Sequence, residues 1–172
     1  MDHDAPFPLS RALLEAVLAD RVSDRLVCAL VWCRLGYVPA DVTVVEATLA
    51  AAAGDGDTGD AVPWLAGPAT PAAWAEAFPR APEVIAERPA SVALTRSVPA
   101  AHKQLLKERL GFGGYRVGEL FPRRTRRATA VNWLLAHLAE RGEPLLETGP
   151  LPPPLEPPAD PRLGHPGDPP AG

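Results

Sequence analysis

Leu9, Leu13, Leu14, Val17 and Leu18 recur at spacings of three and four, one stripe of a helix over residues 9–20 with Ser10 near its start. Ser23 stands where it can cap a second helix, 24–35, which is apolar almost all round: Leu26, Val27, Cys28, Leu30, Val31, Trp32 and Leu35. A helix with so little polar face belongs at the centre of a bundle, and Gly36 stops it. Residues 41–53 carry two signals. Val42 to Val45 would suit a strand, but Thr43 and Glu46 have capping-box spacing and Leu49 to Ala53 favours helix, so the pattern predicts a helix ending at Gly54. An acidic loop, Asp55 to Asp60, follows.

Thr70-Pro71 offers a hydroxyl cap and then a proline in the first turn of a helix. Trp74 and Phe78 lie four apart on it, and Pro79 ends it. A short helix over 82–88 is stopped by Pro89, and Ser91 to Ser97 alternates Val92 and Leu94 with Thr95 and Arg96, which predicts a strand. Pro99 opens a helix through Leu110 that buries Ala101, Leu105, Leu106 and Leu110, and Gly111 closes it. Tyr115 to Leu120 reads as extended or turn-like, so a small hairpin from 91–97 and 115–120 is the most sheet the pattern allows. The last helix runs from Pro122 to about Glu140, with Val131, Leu134, Leu135 and Leu138 inward and Gly142 as its stop. Leu30, Trp32, Trp74, Phe78, Leu106, Val131, Leu134 and Leu138 are expected to share one core.

No apolar period survives beyond this. Eleven of the 22 prolines fall in residues 144–172, among glycines and acids. The chain of 172 residues therefore divides into a mainly α, single compact domain over 8–142 and a disordered, Pro-rich acidic tail over 143–172. The P-x-x-P spacings of that tail suit aromatic grooves, but a solubilising end explains them more simply. The apolar run from Leu26 to Cys33 is far too short to span a bilayer, and the acidic N-terminus is unlike a signal peptide. Cys28 and Cys33 lie five apart on one helix and point to different sides, so they are expected to be free thiols in a reducing compartment. The chain reads as cytoplasmic or stromal, with no membrane partner.

Charge changes the picture more than composition does. The formal net charge is −4, but residues 96–141 hold ten Lys and Arg against three acids. Such asymmetry within a chain is informative where the total is not. Arg123, Arg124, Arg126 and Arg127 occupy the first turns of the last helix, where the helix dipole disfavours cations, and Arg123 and Arg127 repel at i, i+4 spacing. Three things could offset this: an anion held by guanidinium forks and free backbone N–H groups, internal pairing with Glu119 or the acidic loop, or a genome that writes arginine for any cation, since arginine outnumbers lysine fifteen to two.

Catalytic motifs are absent. The loop at Asp55 fails the calcium-loop pattern, with glycine at its fifth position and alanine at its twelfth. Gly111-Phe112-Gly113-Gly114 has the bare G-x-x-G spacing of RNA-clamping loops without the strand and helix that would frame it. There is no G-x-S-x-G, H-E-x-x-H or C-x-x-C; His3 and His165 lie in the expected tails, and His102 and His137 sit on helices with no Cys or carboxylate at ligand spacing. Neither catalytic residues, a cofactor nor a metal is assigned.

One resemblance stands beside this reading. Leu94-Thr-Arg-Ser-Val-Pro, Lys103-Gln-Leu-Leu-Lys107, Gly114-Tyr-Arg-Val-Gly-Glu-Leu and the run from Pro122 through Asn132-Trp-Leu-Leu135 resemble a family of uncharacterised proteins from cyanobacteria and plastids, over about residues 62–140. The resemblance implies a photosynthetic source and a cytoplasmic or stromal place, and no activity. The leading expectation is a non-catalytic binding or adaptor protein. It would dock an acidic protein or a phosphate-bearing ligand on a basic rim of Lys103, Lys107, Arg116, Arg123, Arg124, Arg126 and Arg127. A nucleic-acid-binding regulator is the alternative, and an enzyme of unknown type the third.

Overall fold

The computed structural model describes residues 7–40 and 63–171. Ser10 caps helix α1 (Arg11–Leu18) by accepting from the Leu13 amide at 3.0 Å. Ser23 does the same for α2 (Asp24–Arg34), accepting from Leu26 at 3.1 Å. Each hydroxyl satisfies one of the amides that a helix start leaves without a partner. Gly36 turns the chain out of α2 with φ of +84°, and a Cβ there would lie 2.7 Å from the backbone of Ala69 and Thr70. Conformation and close approach both require glycine at this position. Strand β1 (Val38–Pro39) pairs antiparallel with β2 (Trp64–Leu65), Val38 opposite Leu65 and Pro39 opposite Trp64. The helix expected at 41–53 and the acidic loop at 55–60 lie outside the described residues.

After β2 come α3 (Ala72–Ala77), α4 (Arg88–Ser97), a 3₁₀ turn at Ala100–His102, α5 (Leu105–Leu110), a second 3₁₀ turn at Val117–Glu119 and α6 (Pro122–Arg141). The fold is mainly α, with one tiny antiparallel pair among the described residues. The axis is α6, not the apolar α2: α1, α2, α4 and α5 all pack against it. Its inward residues, Ala130, Val131, Trp133, Leu134, Leu135, Ala136 and Leu138, are all buried. Leu30, Trp74, Val131, Leu134 and Leu138 enter the core as expected, while Trp32, Phe78 and Leu106 are partly buried against it. Trp32 keeps its indole at the boundary, where it donates to the Pro82 carbonyl at 2.7 Å.

Several elements differ from the pattern's prediction. Ser91 to Ser97 belongs to α4, not to a strand, so the hairpin of 91–97 with 115–120 does not form. Pro89 lies in the first turn of α4 and starts it, and the helix expected over 82–88 is a turn. Ala90, Leu94 and Val98 are buried at helical spacing of four, a period that the alternation of Val92 and Leu94 concealed. The helix expected from Pro99 begins as 3₁₀ and becomes α only at Leu105. The Thr70 hydroxyl accepts from the Gly67 amide at 3.0 Å and does not cap α3. Cys28 is buried and Cys33 half-buried, and neither is in a disulfide. Burial drives the Cys28 thiol well above its ordinary range, with the Glu83 carboxylate beside it adding to the shift.

The expectation of a separate, disordered tail gives way to a segment seated on the domain. The Arg11 and Ala12 amides donate to the carbonyls of Leu146 and Glu147 at 2.7 and 3.3 Å, and the Leu155 amide donates to Arg21 at 2.9 Å. Pro152 and His165 are buried. The segment has no helix or strand of its own, as its proline content dictates, but its single polar and apolar anchors find partners on α1 and α2.

Candidate functional site

Three of the four arginines at the start of α6 point inward. Arg123 and Arg127 are 1% and 0% exposed. Their carboxylate partners come from the corner between α1 and α2. Asp20 occupies that corner with φ of +62°, a left-handed conformation that aspartate tolerates better than most residues. It takes the Arg123 fork with both oxygens at 2.7 Å. Asp24, in the first turn of α2, accepts from Arg123 Nε at 2.8 Å and from Arg127 Nη1 at 2.6 Å. Arg127 also donates to the carbonyls of Val17 and Val22 at 2.9 and 2.8 Å, so one guanidinium closes the C-terminal end of α1 and clamps the turn after it. Arg124 is mostly covered, its guanidinium 5.9 Å from the centre of the Tyr115 ring and 3.6 Å from Asp20. Arg126 donates to Ile85 and Ala86 at 3.0 Å and holds the turn before α4.

A fourth component arrives from the C-terminal segment. The Asp168 carboxylate accepts from the backbone amides of Asp24, Arg25 and His165 at 3.1, 3.3 and 3.0 Å. His165 Nδ1 lies 3.8 Å from Asp20 and 3.6 Å from Asp168. The Pro161 carbonyl accepts from Arg123 Nη1 at 3.2 Å.

The titration of these groups follows from their surroundings. Burial alone would push Asp20 up, but the Arg123 hydrogen bond and the charges of Arg127, Arg123 and His165 outweigh it and hold the carboxyl below its usual range. Asp168 is depressed likewise, burial being outweighed by hydrogen bonds from His165, Asp24 and Arg25. Asp24 goes the other way: burial, with Asp168 adding repulsion, exceeds the pull of Arg127 and Arg123 and raises it. Burial opposes the charge of Arg123, and the hydrogen bond to Asp20 and the charge of Asp24 overcome that and raise its pKa.

These directions fix a pH dependence. A carboxylate with a depressed folded pKa adds stability that is present above its unfolded value, near 3.9, and lost as pH falls through the folded value. Asp20 and Asp168 act in this sense. Asp24 acts oppositely, its contribution being present below the unfolded value and lost as pH rises through the folded one. The Asp20→Asn variant keeps a residue suited to the left-handed corner and removes one depressed carboxyl. Its stability, measured by urea unfolding from pH 5 to pH 2, should fall less steeply with acid than that of the parent. An unchanged acid slope would exclude the Arg123–Asp20 pair as its source.

The basic rim expected from the sequence therefore breaks up. Arg123, Arg126 and Arg127 are interior, Arg124 is largely covered, and Lys103, Lys107 and Arg116 remain exposed. The unfavourable placement at the helix start is offset by internal pairing with Asp20 and Asp24; the acidic loop lies outside the described residues. The signal was in the sequence: two aspartates four apart match two arginines four apart.

A second surface was not expected. A groove of about 550 Å³ runs between α4 and the start of α6, lined by Arg88, Arg96 and Arg126, the apolar Val92, Leu120 and Pro122, and three hydroxyl residues. The exposed Arg88 and Arg96 and the buried Arg126 line it, with no carboxylate among the lining residues. Lys103 reaches its edge, donating to the carbonyl of Thr95, one of the lining residues. Among the described residues, no helix is long and apolar enough to cross a membrane, and no His, Cys, Asp and Glu group is placed to hold a metal ion.

The sequence profile of a domain of unknown function, DUF1823, matches residues 8–139. A protein known from a solution NMR structure is similar: it is 41% identical, the match covers 77% of this chain and 94% of that one, and the TM-score is 0.53. No protein of curated function matches.

Proposed function

This chain belongs to the DUF1823 family of domains of unknown function, and for it we propose a non-catalytic binding role in which the groove between α4 and α6 docks an acidic segment of a partner protein. The observation that carries this reading is the pair of exposed arginines in the groove's lining, Arg88 and Arg96, with no carboxylate among the lining residues. Volumes of this size are typical of ligand clefts. The docking surface thus moves from the Arg123–Arg127 cluster to the exposed Arg88 and Arg96 of α4, with Lys103 kept at its edge. Leu120 is 54% exposed and the nearby Val117 is 89% exposed, which gives the groove an apolar border. A peptide alternating acidic and apolar side chains complements both features. No aromatic side chain lines the groove to stack on a base, and stacking is what binding of single strands requires.

A labelled peptide of alternating Glu and Leu, titrated against the full chain at 150 mM salt, tests this by anisotropy. Arg96→Glu should weaken its binding by about tenfold or more, with thermal stability unchanged because Arg96 is exposed. Equal binding by the parent and the Arg96→Glu chain would refute the assignment. A duplex oligonucleotide that bound more tightly than the peptide and survived this salt would transfer the groove to nucleic acid.

A further inference from the structure

We propose that residues 160–168 form a clasp, which closes by seating Asp168 on the first turn of α2 and Gly164 against Arg123, and which opens while the domain stays folded. Three observations carry this inference. First, the two sides of the contact belong to different parts of the chain. Asp20, Asp24, Arg123 and Arg127 lie within the stretch that matches the family, residues 8–139, whereas Pro161, Gly164, His165 and Asp168 lie outside it. The shared domain is defined without the segment that covers its charged corner.

Second, the seat is shaped for this segment. Gly164 has φ of +78°, and a Cβ there would lie 2.9 Å from Arg123 Nε and 3.2 Å from Asp168 Oδ2. Only glycine passes between the guanidinium and the carboxylate in this conformation. The Asp24 and Arg25 amides, the first two of α2, are satisfied by Asp168, while the next amide, Leu26, is satisfied by Ser23 within the domain. Third, the charges count. Arg123, Arg124 and Arg127 face Asp20 and Asp24, three positive groups against two negative, and Asp168 brings the third carboxylate. Closing the clasp brings this carboxylate, and His165 with it, over side chains that are almost wholly buried in the closed form. Opening it uncovers three arginines that keep only two carboxylates. His165 goes with the segment; it is faced by Asp20, Asp168 and Arg123, and its Nε2 has no hydrogen-bond partner.

Amide hydrogen exchange on the full chain tests the clasp. In the parent chain the Asp24 and Arg25 amides should exchange through a local opening, at rates insensitive to low denaturant, while Val131 and Leu134 in α6 exchange only through global unfolding. Asp168→Asn removes the charge of the seat, and Gly164→Ala blocks it without changing charge. Each should speed exchange at Asp24 and Arg25 by about tenfold, leave Leu26 and the α6 amides as they were, and hasten tryptic cleavage after the exposed Arg162. Asp24 and Arg25 exchanging in step with α6 in the parent chain would make the segment an inseparable part of the fold and overturn the proposal. Unchanged exchange at these two amides in both variants would overturn it too. The measurement on the parent chain decides the matter even where a variant does not fold.

Discussion

Asp24→Ala should lower the free energy of unfolding by about 3–5 kcal/mol, the loss expected when one partner of a buried ion pair is removed. The carboxylate takes one hydrogen bond from each of two interior guanidiniums, Arg123 and Arg127. Alanine would leave both charges in place with only Asp20 to oppose them at close range. Arg123→Gln with Arg127→Gln removes the charges from the other side, and a loss above about 2 kcal/mol is expected there as well, beyond what exposed pairs supply. Urea unfolding of each chain at pH 7 gives the numbers. A loss below about 1 kcal/mol for Asp24→Ala would mean that the corner behaves as a surface ion pair and that these arginines remain open to a partner. Replacing the whole set by apolar residues of matching volume is a different experiment, with an outcome near neutral, because the desolvation of the ions disappears with them.

Leu134→Ala is the second large effect. Leu134 is fully buried in α6, the helix against which α1, α2, α4 and α5 pack. Truncation there removes transfer free energy and leaves a cavity walled by several helices, at a cost of about 2–5 kcal/mol. For a domain of this size the midpoint of thermal unfolding should drop by roughly 5–15 °C. A change below about 1 kcal/mol would show that the surrounding helices collapse into the gap, and so that α6 is not a rigid axis.

The helices whose apolar period is long were legible in the sequence, and the two hydroxyl caps, Ser10 and Ser23, act as read. The failures have definite causes. The pattern makes Pro89 the end of one helix, whereas it begins the next, because proline is as compatible with a first turn as it is incompatible with an interior. The C-terminal segment looked free because docking by scattered anchors such as Leu146, Leu155 and Asp168 leaves no periodic trace. The arginine cluster was recognised as a feature in need of a partner, and its partners were hidden for a simple reason. Asp20 and Asp24 stand where a helix end and a helix start ordinarily place polar residues, so each had a local explanation already. The groove between α4 and α6 could not be read at all, since it depends on α4 being a helix.

The clamp of Arg127 on the end of α1 has a consequence for how the chain acquires its fold. The Val17 carbonyl and the guanidinium that satisfies it are separated by 110 residues. Helix α1 has no basic residue of its own in its last turn. Its final turn and the left-handed corner at Asp20 are thus completed by a side chain made much later. During synthesis, at about 5–20 residues per second, the first two helices would wait roughly 5–20 s for that side chain, with two aspartates and an apolar face uncovered. Contacts of such separation slow folding. Helices α1 and α2 made alone would therefore lack the guanidinium that completes their corner.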